Sequence, residues 1–301
     1  MAHNDLLITH LGYKAEGVIN RISNAAVFGK SERGIFLQPL DDLTLYISFE
    51  NFRGPLTLNL TGDSVLLDQV KSGNPVKVKK SGILFPNLGL KILLDGAETW
   101  SHNTNPITNI PDQDQLKSVV GQAKKILGNE SLFPLLEMVI SGDPAPLPDH
   151  PGLIEKVIHV LDEMRDGSLG QSKTTDLLNA ITGLIGAGPG LTPLGDDIIL
   201  GILLAFNYRK ESIFPEISLE DLNQMILDAA REKTTNLSFS LLTCAVEGSA
   251  DERTLKILDR LITGEEIRDQ DLTQLLKWGS SSGIAVLAGM ISAIKKDPVS
   301  L

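Results

Sequence analysis

Residues 76–94 read Val-Lys-Val-Lys-Lys-Ser-Gly-Ile-Leu-Phe-Pro-Asn-Leu-Gly-Leu-Lys-Ile-Leu-Leu. The period of this stretch decides the class of the first third of the chain. Val76 and Val78 alternate with Lys77 and Lys79, which is the two-residue repeat of a half-buried strand. Residues 82–86 and 90–94 are short apolar runs set off by glycine, proline and asparagine, and they predict two further strands. Toward the N-terminus, residues 18–22, 25–28, 34–37, 43–49 and 56–60 have the same character. They are rich in β-branched and aromatic residues and are separated by Gly, Asp, Asn or Pro. Short strands at this spacing predict a sandwich or a barrel-like domain. Ala97-Glu-Thr-Trp and the polar stretch 101–111 end it.

Toward the C-terminus the period changes. Residues 115–127 and 132–140 place apolar side chains at helical spacing. A proline-rich connection, 143–151, follows. Further helices are expected over 153–164, 174–185, 193–208, 219–233, 239–247, 251–261, 271–278 and 284–295. The chain therefore reads as α+β: a β-rich domain over 1–112 and a mostly helical domain over 113–301. No fixed-period repeat is present.

Composition narrows the class of partner. The 301 residues carry 38 acids against 27 Lys and Arg, a net charge of −11. That balance argues against a nucleic-acid backbone or an anionic membrane as the main partner. The longest apolar run, residues 198–206, is too short to span a bilayer. No charged-then-apolar signal pattern opens the chain. The single cysteine, Cys244, excludes an intrachain disulfide and fits a cytoplasmic, reducing compartment.

Three polar clusters stand where helices are expected to begin. The first is 186–197, Gly-Ala-Gly-Pro-Gly-Leu-Thr-Pro-Leu-Gly-Asp-Asp. Thr192 is placed to cap a helix and Pro193 suits its first position. Free N–H groups and the dipole at that end favour an anion, a phosphate or a carboxylate. Asp196 and Asp197 then follow as a general base or as ligands of a cation such as Mg²⁺. The plain alternative is tight helix packing at Gly195 and Gly201, with the acids solvated and complementing the dipole. The second cluster is Lys233-Thr-Thr-Asn-Leu-Ser, in which Thr234, Thr235 and Ser238 offer hydroxyls to a carboxylate or an amide; its plain alternative is an N-cap. The third is Trp278-Gly-Ser-Ser-Ser-Gly, again before an apolar helix. The five histidines show no metal-ligand spacing, and none lies near a cluster in sequence, so a Ser-His-Asp hydrolase finds no support.

The order of these strings resembles the AllH-like family: Gly-x-Gly-Pro-Gly-Leu-Thr-Pro-x-Gly-Asp-Asp, then Thr-Thr-x-x-Ser with a following Ala-x-x-Gly, then Gly-x-x-Ser-Gly before a final apolar helix. The likeness is close in the C-terminal half and looser in the β region. This bacterial family, long without an assigned function, includes a subunit assigned to oxamate carbamoyltransferase in the anaerobic branch of allantoin breakdown. The resemblance implies a multi-subunit system that interconverts oxalurate plus phosphate with oxamate plus carbamoyl phosphate. Carried over residue by residue, it implies a site of Gly188, Gly190, Thr192, Gly195, Asp196 and Asp197 with Thr234, Thr235, Ser238, Ser282 and Gly283. The chain departs from the family pattern at Ala285, where an acid is expected. Beside a catalytic subunit stand two other readings: a non-catalytic subunit that binds a small anion for partner proteins, and a purely structural use of the glycines.

Overall fold

The computed structural model describes residues 5–62, 64–102, 111–128, 130–144, 151–165, 171–209 and 218–294. His3, His150 and residues 145–150 of the proline-rich connection lie outside the described residues. The chain divides into two compact units, Met1–Asn103 and Thr104–Leu301.

The first unit is a closed mixed β-barrel. Its strands are β1 (Asp5–Gly12), β2 (Asn24–Ser31), β3 (Gly34–Pro39), β4 (Leu45–Ser48), β5 (Thr57–Thr61), β6 (Pro75–Lys79), β7 (Gly82–Phe85), β8 (Leu90–Leu93) and β9 (Glu98–Trp100). The sheet runs β5-β4-β3-β2-β6-β7-β8-β1-β9, and the pairing of β5 with β1 closes it. β1 is the seam. One edge runs antiparallel to β5, and the other runs parallel first to β8 and then to β9. Closure removes the exposed strand edges that an open sheet would present. The two-residue period does what the sequence predicts: Val76 and Val78 are buried, and Lys77 and Lys79 are exposed. Ile35, Leu37, Ile47, Leu58, Ile83 and Ile92 are fully buried in this unit.

Two sequence expectations change here. Residues 18–22 are not a strand. They fall at the end of helix α1 (Tyr13–Arg21), whose buried side chains Ala15, Val18 and Ile19 follow helical spacing. A strand that sequence reading did not predict, β1, supplies the seam.

The second unit is helical: α2 (Gln113–Leu127), α3 (Phe133–Ser141), α4 (Pro151–Arg165), α5 (Gln171–Leu184), α6 (Leu194–Arg209), α7 (Leu219–Lys233), α8 (Asn236–Ala245), α9 (Glu252–Thr263), α10 (Asp269–Leu276) and α11 (Ser282–Ile294). The protein is thus α+β. Two helices form its centre. α11 is buried along its whole length, and α6 from Leu194 to Tyr208. A helix apolar on every side must be enclosed by others. The pair can touch along their backbones because glycines meet at the crossing. A Cβ on Gly201 would stand 2.2 Å from Val286 O, and one on Gly289 would stand 2.0 Å from Ile198 O. No helix among the described residues is long and apolar enough to cross a membrane.

Candidate functional site

The loop between α5 and α6 is shaped by its glycines. Gly186 has φ +74°, and a Cβ there would collide with Lys233 O at 2.3 Å, so both conformation and packing demand glycine. Gly188 and Gly190 have φ +110° and +107°. At Gly190 the nearest atom to a Cβ would be 3.9 Å away, so only the backbone angle selects glycine there.

The start of α6 differs from the sequence expectation. The carbonyl of Pro193 accepts the Asp197 N–H at 3.2 Å, which puts the cap at Pro193 rather than Thr192. The amide of Gly195 donates to Ala187 O at 2.8 Å, and that of Asp196 to Pro193 O at 2.9 Å. These first-turn amides are therefore occupied within the chain. They do not form the open anion cradle that a glycine-rich helix start suggests.

The two acids are buried, each on a residue 2% exposed, and so do not form a solvated first turn. Asp196 Oδ1 accepts the Gly186 N–H at 2.7 Å, and its Oδ2 accepts the Thr234 hydroxyl. Burial raises its pKa. The Gly186 amide, the Thr234 hydroxyl and the nearby Ser238 hydroxyl oppose that rise. Asp197 is the less satisfied of the two. Its Oδ2 is buried with no hydrogen-bond partner. Burial pushes its pKa up to about 8, the Ser282 hydroxyl opposes the shift, the Asp196 charge adds to it, and Thr192 opposes it again. Burial thus disfavours the charged form of both acids, and Asp197, with one oxygen unpartnered, is the further shifted of the two.

The other clusters come to the same place. Thr235 caps α8 by accepting the Ser238 N–H at 3.1 Å, and it also donates to Leu191 O at 2.6 Å, tying the loop to that helix. Ser238 acts on Asp196, although its own Oγ makes no hydrogen bond of regular geometry. Ser282, the first residue of α11, has its hydroxyl 3.1 Å from that of Thr192. Thr192, Asp196, Asp197, Thr234, Thr235, Ser238 and Ser282 thus meet where α6, α8 and α11 begin. Gly195 and Gly283 serve packing. A Cβ on the first would lie 2.1 Å from Leu184 O, and on the second 1.8 Å from Leu275 O. Sequence reading missed the roles of the Gly186 amide and the Leu191 carbonyl. Backbone groups carry no residue-type signal.

The basic residues nearest in sequence have other contacts. The Arg231 guanidinium lies 5.3 Å from the Phe239 ring centre, and the Lys233 ammonium is 3.5 Å from Thr182 O. Cys244 is buried in α8. Among the described residues no group of three or more His, Cys, Asp or Glu is placed to hold a metal ion. A Mg²⁺ here would have two carboxylates and hydroxyls to draw on, and one of those carboxylates already accepts two hydrogen bonds.

Residues 184–294 match the model of a family described as oxamate carbamoyltransferase subunit AllH. The match runs from the last residue of α5 to the last of α11 and contains all three clusters. The likeness read from those motifs holds over this region, and the β-barrel lies outside it. No curated protein and no solved structure matches the chain. Ala285, where the family pattern leads one to expect an acid, is fully buried in α11.

Proposed function

We propose that this chain is a subunit of a carbamoyltransferase-type system and that its site is the junction of α6, α8 and α11. The observation that carries the reading is Asp197, a buried carboxyl with one unpartnered oxygen beside the hydroxyls of Thr192, before α6, and Ser282, at the start of α11. The family match supplies the reaction class.

In carbamoyl transfer to an amide, the amide nitrogen forms a bond to the carbamoyl carbon, the bond from that carbon to the phosphate oxygen breaks, and the nitrogen gives up a proton. Asp197 is the group suited to take that proton, and to return it in the reverse direction. A carboxyl with pKa about 8 is matched to proton transfer near neutral pH. Asp196 positions rather than reacts: it holds the Gly186 amide and the Thr234 hydroxyl. The hydroxyls of Thr192, Ser238 and Ser282 orient the substrate, and the loop 186–192 forms the wall that Thr235 fastens. Catalysis would then rest on positioning and on hydrogen bonds to developing charge. Gly188 and Gly190 shape the loop, and partner subunits complete the system.

The test is Asp197→Asn in the system reconstituted with its partner subunits. Turnover should disappear while circular dichroism and melting show an intact fold. Unchanged turnover sinks the proposal. Ligand binding without turnover by the complete wild-type system would favour a subunit that presents substrate without reacting with it.

A further inference from the structure

Asp197 sits on a residue only 2% exposed. A carboxyl that exchanges a proton with a substrate must come within hydrogen-bond reach of it, so the conformation described is a closed one. Three side chains act on the Asp197 carboxyl: Ser282, Asp196 and Thr192. The first two stand on helices whose starts are packed backbone against backbone. A Cβ on Gly283 would lie 1.8 Å from Leu275 O, and one on Gly195 2.1 Å from Leu184 O. Neither helix start can shift without displacing its neighbour. Thr192 is held differently.

Thr192 ends the segment 188–192, Gly-Pro-Gly-Leu-Thr. The loop is firm up to residue 187: the Ala187 N–H donates to Leu184 O at 2.9 Å, and Ala187 O accepts the Gly195 N–H at 2.8 Å. Beyond that point, among the described residues, no main-chain group of 188–192 is bonded to another main-chain group. Two hydroxyl contacts fasten the segment. Thr235 donates to Leu191 O at 2.6 Å, and the Thr192 hydroxyl meets that of Ser282 at 3.1 Å. Residues 188–191 are all exposed. Segments with exposed main chain and few bonds open far more readily than the whole fold. Gly188 and Gly190, at φ +110° and +107°, can absorb the change in backbone angle that opening requires.

We infer that 188–192 is a gate over Asp197, hinged at Gly188 and Gly190 and latched by Thr235. This rests on the reading of Asp197 as the reacting group of the junction. Closed, the gate shuts the carboxyl off from water. A minor open state swings Thr192 away from it and admits solvent and substrate. Thr235 is a positioning residue, because it acts on Asp197 through Leu191. It also caps α8 by accepting the Ser238 N–H at 3.1 Å, so the test must separate latch from cap.

Coupling of an amine to carboxyl groups by a carbodiimide, read residue by residue with mass spectrometry, reports access to Asp197. A thiol reagent reports access to Cys244, buried in α8. Each rate is set against that of the same group in the urea-unfolded chain. In the purified full chain Asp197 should be less protected than Cys244 by about tenfold or more, since only the gate has to open. Thr235→Val should speed labelling of Asp197 by about fivefold and leave Cys244 unchanged, whereas Thr235→Ser, which keeps the hydroxyl, should stay within about twofold of the parent. Asp228, exposed on α7, should label alike in all three. Equal protection of Asp197 and Cys244 in the parent overturns the inference, because the acid would then be reached only by global unfolding; this comparison decides even if Thr235→Val does not fold. An unchanged Asp197 in a folded Thr235→Val also overturns it. So does a rise at Asp197 and Cys244 together, which is loss of the α8 cap rather than of a latch. The outcomes separate from those of the proposed function. Turnover abolished by Asp197→Asn, with Asp197 and Cys244 equally protected, sinks the gate alone. Selective opening at Asp197, with turnover unchanged in Asp197→Asn, sinks the function alone.

Discussion

The hydroxyls of Thr192 and Ser282 lie 3.1 Å apart although 90 positions separate them in the chain. The contact joins the loop before α6 to the first residue of α11, and both hydroxyls hold down the pKa of Asp197. Ser282→Ala should therefore raise that pKa further, and Thr192→Val should do the same to a smaller degree. Carbon-detected NMR titration of the Asp197 carboxyl measures both shifts. Loss of the hydrogen bond should cost about 1 kcal/mol in denaturant unfolding. An unmoved titration in both variants would show that the hydroxyls do not govern this acid.

Asp197 also makes a prediction about stability. Its pKa is 3.8 by ordinary standards and about 8 in the fold, raised first by burial. Between those values the folded chain holds a proton that the unfolded chain has released. Stability from this group is thus fully present below pH ~4, falls as pH rises, and is lost by pH ~8. Asp197→Asn removes the titration. The variant should be more stable than the parent by a few kcal/mol at pH 8, with the difference vanishing near pH 4. Melting temperatures across that range give the answer. A gap that widens toward acid would contradict the assigned direction.

A second carboxyl behaves oppositely. Asp271 is 4% exposed and accepts from Lys256 at 2.7 Å and Arg268 at 2.9 Å, with Arg260 at 3.5 Å. Burial works to raise its pKa, but the hydrogen bonds and charges of Lys256 and Arg268 outweigh it and the net shift is downward. Its stabilisation is present above pH ~4 and is lost as acid protonates it in the folded state. Asp271→Asn should destabilise the protein at pH 7 by on the order of 1 kcal/mol, discounted because Lys256 and Arg268 are solvent-exposed. The deficit should shrink toward pH 3. A deficit constant from pH 7 to pH 3 would mean that packing rather than charge is at stake.

Much of this architecture was legible in the sequence where period and position agreed. The alternation at 76–79 became β6, and Leu219–Lys233 is a helix with the expected bounds. Reading failed where signals were local and the cause was remote. α1 begins after Gly12, which offers no side-chain cap, and its β-branched Val18 and Ile19 imitate a strand. β1 is defined by partners 47 to 88 residues later in the chain. At the site, residue types and order gave the meeting of three helix starts, but not the state of the α6 amides. The Gly195 amide is consumed because the chain folds back so that Ala187 O reaches it, and those of Asp196 and Asp197 by Pro193 O in the same turn. The acids therefore read as neighbours of an anion in sequence, and as a buried pair already divided by its hydrogen bonds in the fold.

The glycines give the last test, because packing and site chemistry ask different things of them. A Cβ at Gly201 would stand 2.2 Å from Val286 O and 3.0 Å from Gly289 Cα, both backbone atoms that cannot swing aside. Gly201→Ala should force α6 and α11 apart and cost about 3 kcal/mol or more, at the upper end of overpacking. At Gly190 nothing crowds the added atom, and only the left-handed φ of +107° opposes it, so Gly190→Ala should cost about 1–2 kcal/mol. Gly121, inside α2 with no atom within 4 Å of a Cβ, should gain about 0.5–1 kcal/mol on change to alanine. Urea unfolding of the three variants ranks them directly. If Gly201→Ala costs no more than Gly190→Ala, the α6–α11 crossing is looser than its backbone contacts require, and the junction built on those two helices loses its rigid support.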